Sequence, residues 1–191
     1  RHAMKIYTRW GARRDGKLTA VQVKVIADGG AYMYTSNKVL GNTTLTCTGP
    51  YDIPHVAVDT HAVYTNHVPG AAFRGFGGPQ GHFAAESQMD KLAEALGIDP
   101  VELRLRNIIT DQTILSVGTP IPGGVGMTET IITAAKAAGW TQDDAGQWRR
   151  PMTDDEKRKT KDEGAERSSV VRPSSFVRRG IGFAAGFKNV G

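Results

Sequence analysis

The segment from Gly70 to Gln80, GAAFRGFGGPQ, constrains the fold of this chain more than any other part of its sequence. Its glycines permit positive φ angles and let the backbone approach a ligand closely. Pro79 is typical of the first turn of a helix, and the free amide groups and dipole at a helix start favour an anionic group such as a phosphate. Phe73 and Phe76 suit a flat ligand, or they pack within a tight buried connection; composition leaves both interpretations open.

The same segment does not match the common nucleotide-binding motifs. Gly75-Phe76-Gly77 is followed by Gln80 where the dinucleotide fingerprint requires its third glycine. No Gly-Lys-Ser or Gly-Lys-Thr occurs in the chain, so a Walker loop is absent as well. These two classes of nucleotide site are therefore excluded.

Alternating apolar and polar residues predict a β-hairpin and a third strand. The first strand covers Lys5–Trp10, a turn follows at Arg14–Gly16, and alternate valines over 21–25 mark the second strand. The alternation returns over Val56–Asn66, which predicts the third strand. Residues 28–54 have no clear period and are consistent with loops or a short helix.

Three helices are predicted in the second half of the chain. Apolar residues spaced three and four apart predict a helix from Pro79 to a stop at Gly97. Asp99 is expected to be an N-cap, with Glu102 in the capping-box position of a helix that runs to Ile108. A further helix is expected over 128–138. We expect an α+β fold: a mixed sheet containing a hairpin, with helices packed on one side.

Composition removes several classes of site. Cys47 is the single cysteine, so a disulfide framework and any CxxC metal site are excluded, and it is expected to be a small buried residue. Three histidines on the third strand are six residues apart, or roughly 20 Å in an extended chain, too far to share an ion: His55, His61 and His67. No apolar run reaches the length of a membrane span.

The chain is expected to divide into three parts. Residues 1–140 form part of a larger binding domain, 141–175 form a charged linker or insertion, and 176–191 begin the following part with a strand. The acidic and basic residues of 141–175 largely cancel, which does not favour a nucleic-acid arm. Because the chain opens at Arg1 without an initiator methionine, we expect a segment of a longer protein.

The glycine-rich segment and the helices after it resemble the large subunit of the xanthine dehydrogenase and aldehyde oxidase family. The resemblance is carried by Ala72–Gln80 and by the helical pair over Glu86–Asn107. It covers nearly the whole chain except 141–175, and four shorter elements support it: Arg1-His2, Tyr51–Pro54, Glu102–Arg104 and Arg179–Gly182. The chain is thus similar to an internal segment of the molybdenum-binding subunit.

The resemblance implies a molybdopterin cofactor and assigns residues to it. The cofactor's own dithiolene binds the metal, so no residue of this chain is expected to be a metal ligand. Phe73, Arg74, Gly75 and Gly77 are expected to bind the cofactor, while Phe76 borders the substrate. The family's catalytic glutamate has no match here, so no catalytic residue is assigned and the chain alone is expected to be inactive.

The resemblance also implies an activity and partners. The expected enzyme is a molybdenum hydroxylase of the xanthine dehydrogenase type, which hydroxylates a small organic substrate with water. Its electrons pass to Fe–S and FAD groups on other domains or subunits. We expect a cytoplasmic homo-oligomer with no nucleic-acid or membrane partner.

Two departures from the family narrow the substrate. Gly75 stands where carbon monoxide dehydrogenases have a cysteine, and Asn42 stands where purine-oxidising members have an arginine, which disfavours carbon monoxide and xanthine. An aldehyde, an N-heteroaromatic ring or an aromatic thioester remains. Two alternative functions stay open: a noncatalytic member of the same fold, and a basic binding module, which the pI of about 9.4 suggests.

Overall fold

A three-stranded mixed sheet forms the centre of the molecule. The computed structural model describes residues 1–152 and 181–187. Strand β1 covers Met4–Ala12, β2 covers Leu18–Gly30 and β3 covers His55–Tyr64, in the order β1-β2-β3. The first pair is antiparallel and the second is parallel, so the predicted hairpin, third strand and mixed sheet are confirmed.

Within the described residues, four helices accompany the sheet. Helix α1, Ser36–Thr46, lies in the connection between the parallel strands β2 and β3, as such a connection requires. Helices α2, Gly78–Leu96, and α3, Pro100–Asn107, follow in tandem, and α4 spans Met127–Ala137. The three helices predicted from sequence are thus confirmed, and the short helix in 28–54 is α1.

One face of the sheet is buried under the helices. Val21, Val23 and Val25 of the central strand are each at most 3% exposed, whereas Gln22 and Lys24 between them are exposed. This alternation puts every second side chain of β2 into the core. The core continues through side chains from the helices and the region after them, Met89, Leu103, Ile131, Trp140 and Trp148.

The predicted capping box of α3 does not form in full. Asp99 accepts a hydrogen bond from the Val101 amide at 2.8 Å, as an N-cap residue does. Glu102 does not return to the Asp99 amide. Its carboxylate instead accepts from Arg106 Nε, four residues on in the same helix, at 2.8 Å and from the Trp148 amide of β5 at 3.3 Å.

The charged stretch begins with ordered structure. Strands β4, Thr141–Gln142, and β5, Trp148–Arg149, form a small hairpin whose Trp148 side chain is buried. Residues 153–180, which include most of the predicted linker and the start of the predicted last strand, lie outside the described residues. Residues 181–187 have no regular secondary structure. None of the helices described here combines the length and hydropathy needed to cross a membrane.

Candidate cofactor-binding site

The segment from Gly70 to Gly77 leads from the end of the sheet to the start of α2. Its first residue is held to β2, because the Gly70 amide donates to the carbonyl of Gly29 at 3.2 Å. Two residues later the Ala72 amide donates to Thr35 Oγ1 at 3.1 Å, just before α1 begins. The segment is therefore fixed at the end of the sheet and beside α1.

Three consecutive residues of this segment adopt left-handed backbone conformations. Gly75 has φ 93°, Phe76 has φ 53° and Gly77 has φ 89°. Two tight turns accompany them: the Phe76 amide donates to the Phe73 carbonyl at 3.1 Å, and the Gly78 amide donates to the Gly75 carbonyl at 2.9 Å. Such a run is accessible to glycine and strained for phenylalanine.

Gly77 is required by close packing as well as by its φ angle. A Cβ atom at this position would lie 2.3 Å from Thr43 Oγ1 and 2.5 Å from the Val39 carbonyl oxygen, both on α1. The backbone at Gly77 therefore passes directly against α1, and the first turn of α2 starts from this contact. At position 77 a glycine is needed because α1 leaves no room for a side chain.

Asn42 on α1 fixes the outer part of the same segment. Its Nδ2 donates to the Gly75 carbonyl at 3.2 Å and to the Phe76 carbonyl at 2.8 Å. The sequence identified this position only as one that lacks the arginine of purine-oxidising enzymes. No local pattern could reveal the contact, since it joins residues 33 and 34 positions apart.

The segment presents several backbone donors that the protein does not use. Within residues 1–152 and 181–187, the amides of Phe73, Arg74, Gly75 and Gly77 donate to no protein acceptor. They precede a 19-residue helix whose N-terminal dipole adds positive potential. Unpaired amides followed by a helix start form a site for anionic or acceptor-rich groups. The donor set thus fits the phosphate and pterin of a molybdopterin.

The aromatic side chains of the segment are not core residues. Phe73 is 61% exposed, and Phe76 is half-buried. The Arg1 guanidinium lies 5.0 Å from the centre of the Phe73 ring, and Arg1 Nη2 donates to the Arg74 carbonyl at 3.0 Å. Phe73 therefore does not pack in a buried connection, which was the alternative interpretation.

A buried ionic network lies farther along α2. Glu86 accepts hydrogen bonds from Tyr51 Oη and from Arg104 Nε, the latter at 2.9 Å, and Arg104 Nη2 also donates to Asp90 at 2.9 Å. Arg104 is completely buried. Burial, together with the charge of Glu86, raises the pKa of Tyr51 well above its ordinary value. No pattern in the sequence indicates this network, which joins α2 and α3.

The same network holds the described segment near the C-terminus against α2. The Ala185 amide donates to Glu86 Oε2 at 2.8 Å, and the Phe187 carbonyl oxygen lies 2.6 Å from His82 Nε2. The Phe183 ring meets Trp140 edge to face, with centroids 5.9 Å apart. Residues 181–187 therefore belong to the folded body of the chain.

The remaining candidate groups have ordinary roles. Cys47 is buried, and burial raises the pKa of its thiol to about 12, so it is protonated at neutral pH and is not a nucleophile. Among the residues described, no group of three or more histidine, cysteine or acidic side chains is placed to hold a metal ion. His2 is buried, with Nε2 2.8 Å from Ser36 Oγ.

Comparison with known protein families decides what this fold is. Residues 1–108 match the family described as a molybdopterin cofactor-binding domain. The chain belongs to this family. The predicted family membership and the molybdopterin cofactor are therefore confirmed, and the matched range contains the whole segment from Gly70 to Gly77.

Curated relatives carry names from the same enzyme group. The nicotinate dehydrogenase large molybdopterin subunit of Eubacterium barkeri is 42% identical over 138 residues, 72% of this chain and 32% of the relative. The xanthine dehydrogenase molybdenum-binding subunit of Escherichia coli is 37% identical over 128 residues, 63% of this chain and 17% of the relative. The chain thus spans about a third or less of the length of these relatives.

A solved structure shares the fold of this molybdopterin cofactor-binding domain. The aldehyde oxidoreductase of Desulfovibrio gigas superposes with a TM-score of 0.68 at 33% identity, over 72% of this chain and 15% of that chain. The likeness confirms the predicted fold class, a mixed sheet with helices within a molybdopterin-binding domain.

Proposed function

We propose that this chain forms part of the cofactor-binding region of a molybdenum hydroxylase. Such an enzyme is an oxidoreductase that hydroxylates an aldehyde or an N-heteroaromatic carbon with oxygen from water. One observation carries the proposal: in the described part of the protein, the backbone amides of Phe73, Arg74, Gly75 and Gly77 donate to no protein acceptor, and these residues immediately precede α2. The names of the relatives, which include nicotinate dehydrogenase and aldehyde oxidoreductase, support the choice of substrates.

We assign the cofactor contacts to Phe73, Arg74, Gly75 and Gly77. Their amides would donate to acceptor atoms of the bound molybdopterin, and no side-chain ligand to the metal is needed because the cofactor carries its own sulfur ligands. When bound, this group supplies a two-electron redox centre. The chain's own contribution is a set of backbone donors in a segment that is held at Gly77 by packing and at Gly75 and Phe76 by Asn42.

Phe76 is the residue we assign to the substrate. It is half-buried, so part of the residue is open to solvent within the cofactor segment. A flat aromatic substrate would gain stacking or edge contacts with this ring. Its backbone is held by Asn42, so the ring is attached to a fixed point and orients the substrate rather than following it.

Other parts of the enzyme complete the reaction. We propose that the general base lies outside these 191 residues, and that electrons pass to Fe–S and FAD groups on other domains or subunits of a homo-oligomeric enzyme. Carbon monoxide and xanthine are disfavoured as substrates, because Gly75 offers no thiol and Asn42 no guanidinium.

Metal analysis of the complete gene product tests this function. We expect molybdenum near one equivalent per chain, together with oxidation of aldehydes or N-heterocycles when an artificial electron acceptor is present. Gly77→Ala should lose molybdenum, and Gly41→Ala on α1, which has open space around it, should retain it. Molybdenum without turnover of any such substrate would indicate the noncatalytic alternative, and absence of molybdenum from the parent protein would reject the proposal.

A further inference from the structure

Asn42 has both of its amide hydrogens committed to one short piece of backbone. Nδ2 lies 3.2 Å from the Gly75 carbonyl oxygen and 2.8 Å from the Phe76 carbonyl oxygen. Since both partners can only accept, the nitrogen must face them, and the orientation of the side-chain amide is determined by its surroundings. An aspartate of the same shape could donate nothing to these carbonyls at neutral pH.

The backbone that Asn42 holds is strained. Phe76 has φ 53°, one of two non-glycine residues with positive φ in the described chain. An L-residue in this region prefers to relax to negative φ, and neighbours must hold it there. The two carbonyls that Asn42 binds are those on either side of this residue, so the contact acts where the strain is.

The positions of the unpaired amides depend on this conformation. Gly75 and Gly77 flank Phe76 with φ 93° and 89°, and their own amides are among the four that donate to no acceptor in the described part of the protein. Relaxation of Phe76 would rotate the peptide unit that joins it to Gly77 and so change the orientation of the Gly77 N–H relative to the amides of residues 73–75. Gly77 is also held by its packing on α1, whereas Phe76 is held by the hydrogen bond from its amide to the Phe73 carbonyl and by Asn42.

We propose that Asn42 is a positioning residue that keeps the segment 73–77 in the conformation able to bind the cofactor. The role at the cofactor rests on the proposed function, while the ordering of the segment does not. Asn42 acts through the backbone of Gly75 and Phe76 and need not touch the reacting atoms.

Limited proteolysis of the intact 191-residue chain tests the ordering directly. The Arg74 side chain is exposed and available to trypsin. Because a protease binds its substrate as extended backbone, the Arg74–Gly75 bond is cleaved only when the turns of this segment open. Asn42→Asp should increase cleavage at this bond roughly tenfold or more, because two hydrogen bonds are lost and repulsion is introduced. Asn37→Asp is the matched control, since it makes the same charge change on the exposed side of α1.

Three outcomes separate the possibilities. Selective cleavage at Arg74 in Asn42→Asp and in Asn42→Ala, with circular dichroism and melting of the rest of the chain close to Asn37→Asp, supports the proposal. Cleavage within about twofold of the parent overturns it. Loss of the whole fold in both Asn42 variants also overturns it, because Asn42 would then support the domain rather than the segment.

Molybdenum content of the complete protein tests the link to the cofactor. Asn42→Asp should purify with several-fold less molybdenum than Asn37→Asp. If the segment opens in Asn42→Asp while the molybdenum content is unchanged, the positioning role at the cofactor is rejected although the ordering role stands. If the parent protein itself holds no molybdenum, the proposed function fails while the proteolysis result still decides the ordering role.

Discussion

Gly77 shows how a single residue decides whether the cofactor segment can form. Its φ of 89° and the 2.3 Å that would separate an added Cβ from Thr43 Oγ1 leave no room for a side chain. The position therefore carries a backbone requirement and a packing requirement at once. Either alone would favour glycine, and together they leave no other residue without a shift of α1 or α2.

Gly77→Ala is expected to destabilise the chain by roughly 2–4 kcal/mol, because it combines a left-handed alanine with overpacking against α1. Urea unfolding followed by circular dichroism measures the change. Gly41→Ala, within α1 itself, is the matched control, since it has open space around it and should stabilise by about 0.5–1 kcal/mol. Equal effects of the two substitutions would contradict this account of Gly77.

Asp28 links the end of β2 to the chain that approaches the cofactor segment. It accepts hydrogen bonds from Thr65 Oγ1 and the Gly30 amide, and it contacts His67 Nδ1. The bond from Thr65, then that from His67, lower the pKa of Asp28 from 3.8 to about 2. The folded state therefore favours the ionised carboxylate.

This pKa shift predicts a pH-dependent part of the stability. Between the unfolded value of 3.8 and the folded value of about 2, the unfolded chain binds more protons, so this stability is present above about pH 4 and is lost as the pH falls toward 2. The difference in unfolding free energy between the parent and Asp28→Asn should shrink over that range. Asp59→Asn, in an exposed pair with His61, is the control. A difference that stays constant from neutral pH down to about pH 2 would count against the assignment.

At the residue scale, the sequence indicated which amino acids matter but not what holds them. The glycines and phenylalanines of 70–77 were visible as a group, because chain neighbours reveal their own composition. The partner of Phe76 was not, since Asn42 is an ordinary polar residue in a threonine-rich stretch. Only the fold brings the two together.

At the scale of elements, helices with a regular apolar spacing were predictable and α1 was not. Helix α1 contains three threonines and a glycine, which are poor helix formers. In the structure Thr43, Thr44 and Thr46 each donate to the carbonyl four residues earlier, so their hydroxyls are satisfied within the helix. Packing against β3 and α2 then stabilises a helix that local preference leaves undecided.

The pairing of α2 with α3 depends on one buried carboxylate. Glu86 is the acceptor for Tyr51, for the completely buried Arg104 and for the Ala185 amide. Glu86→Gln removes the buried one of the two carboxylate charges that compensate Arg104 and should cost about 3–5 kcal/mol in urea unfolding. Asp90 contacts the same guanidinium, but its side chain is 54% exposed. Asp90→Asn should therefore cost no more than about 1 kcal/mol. Similar losses for both would contradict a network centred on Glu86.

At the scale of the whole molecule, the described helices cover one face of the sheet and leave the other face exposed. The helices bury one face of the sheet, and strands β1 and β3 each leave one edge unpaired by the described chain. Alternation in β2 was enough to predict which face is buried. The residue-by-residue pairing of β3 with β2 was not predictable, because it depends on how α1 carries the chain from one strand to the other.

The cofactor segment has the same one-sided character, and this leads to a prediction for the chain by itself. Phe73 is 61% exposed and Arg74 is exposed, whereas Gly77 is buried against α1, so the segment is open at its Phe73–Arg74 end. Sites that retain small molecules usually enclose most of the ligand surface, whereas this segment contacts a ligand from one side. Only 32% of the nicotinate dehydrogenase subunit aligns with this chain, and the enclosing walls would come from such further sequence.

We therefore expect the 191-residue chain, expressed and purified alone, to contain less than about 0.1 equivalent of molybdenum by elemental analysis. The complete protein, prepared from the same cells, is the control and should contain close to one equivalent. Since the segment is held by Asn42 and Gly77 within this chain, the isolated chain should already resist trypsin at Arg74, and the complete protein, in which cofactor and further sequence would cover this bond, should resist it more. A near-stoichiometric molybdenum content in the isolated chain would show that these residues enclose the cofactor without further sequence.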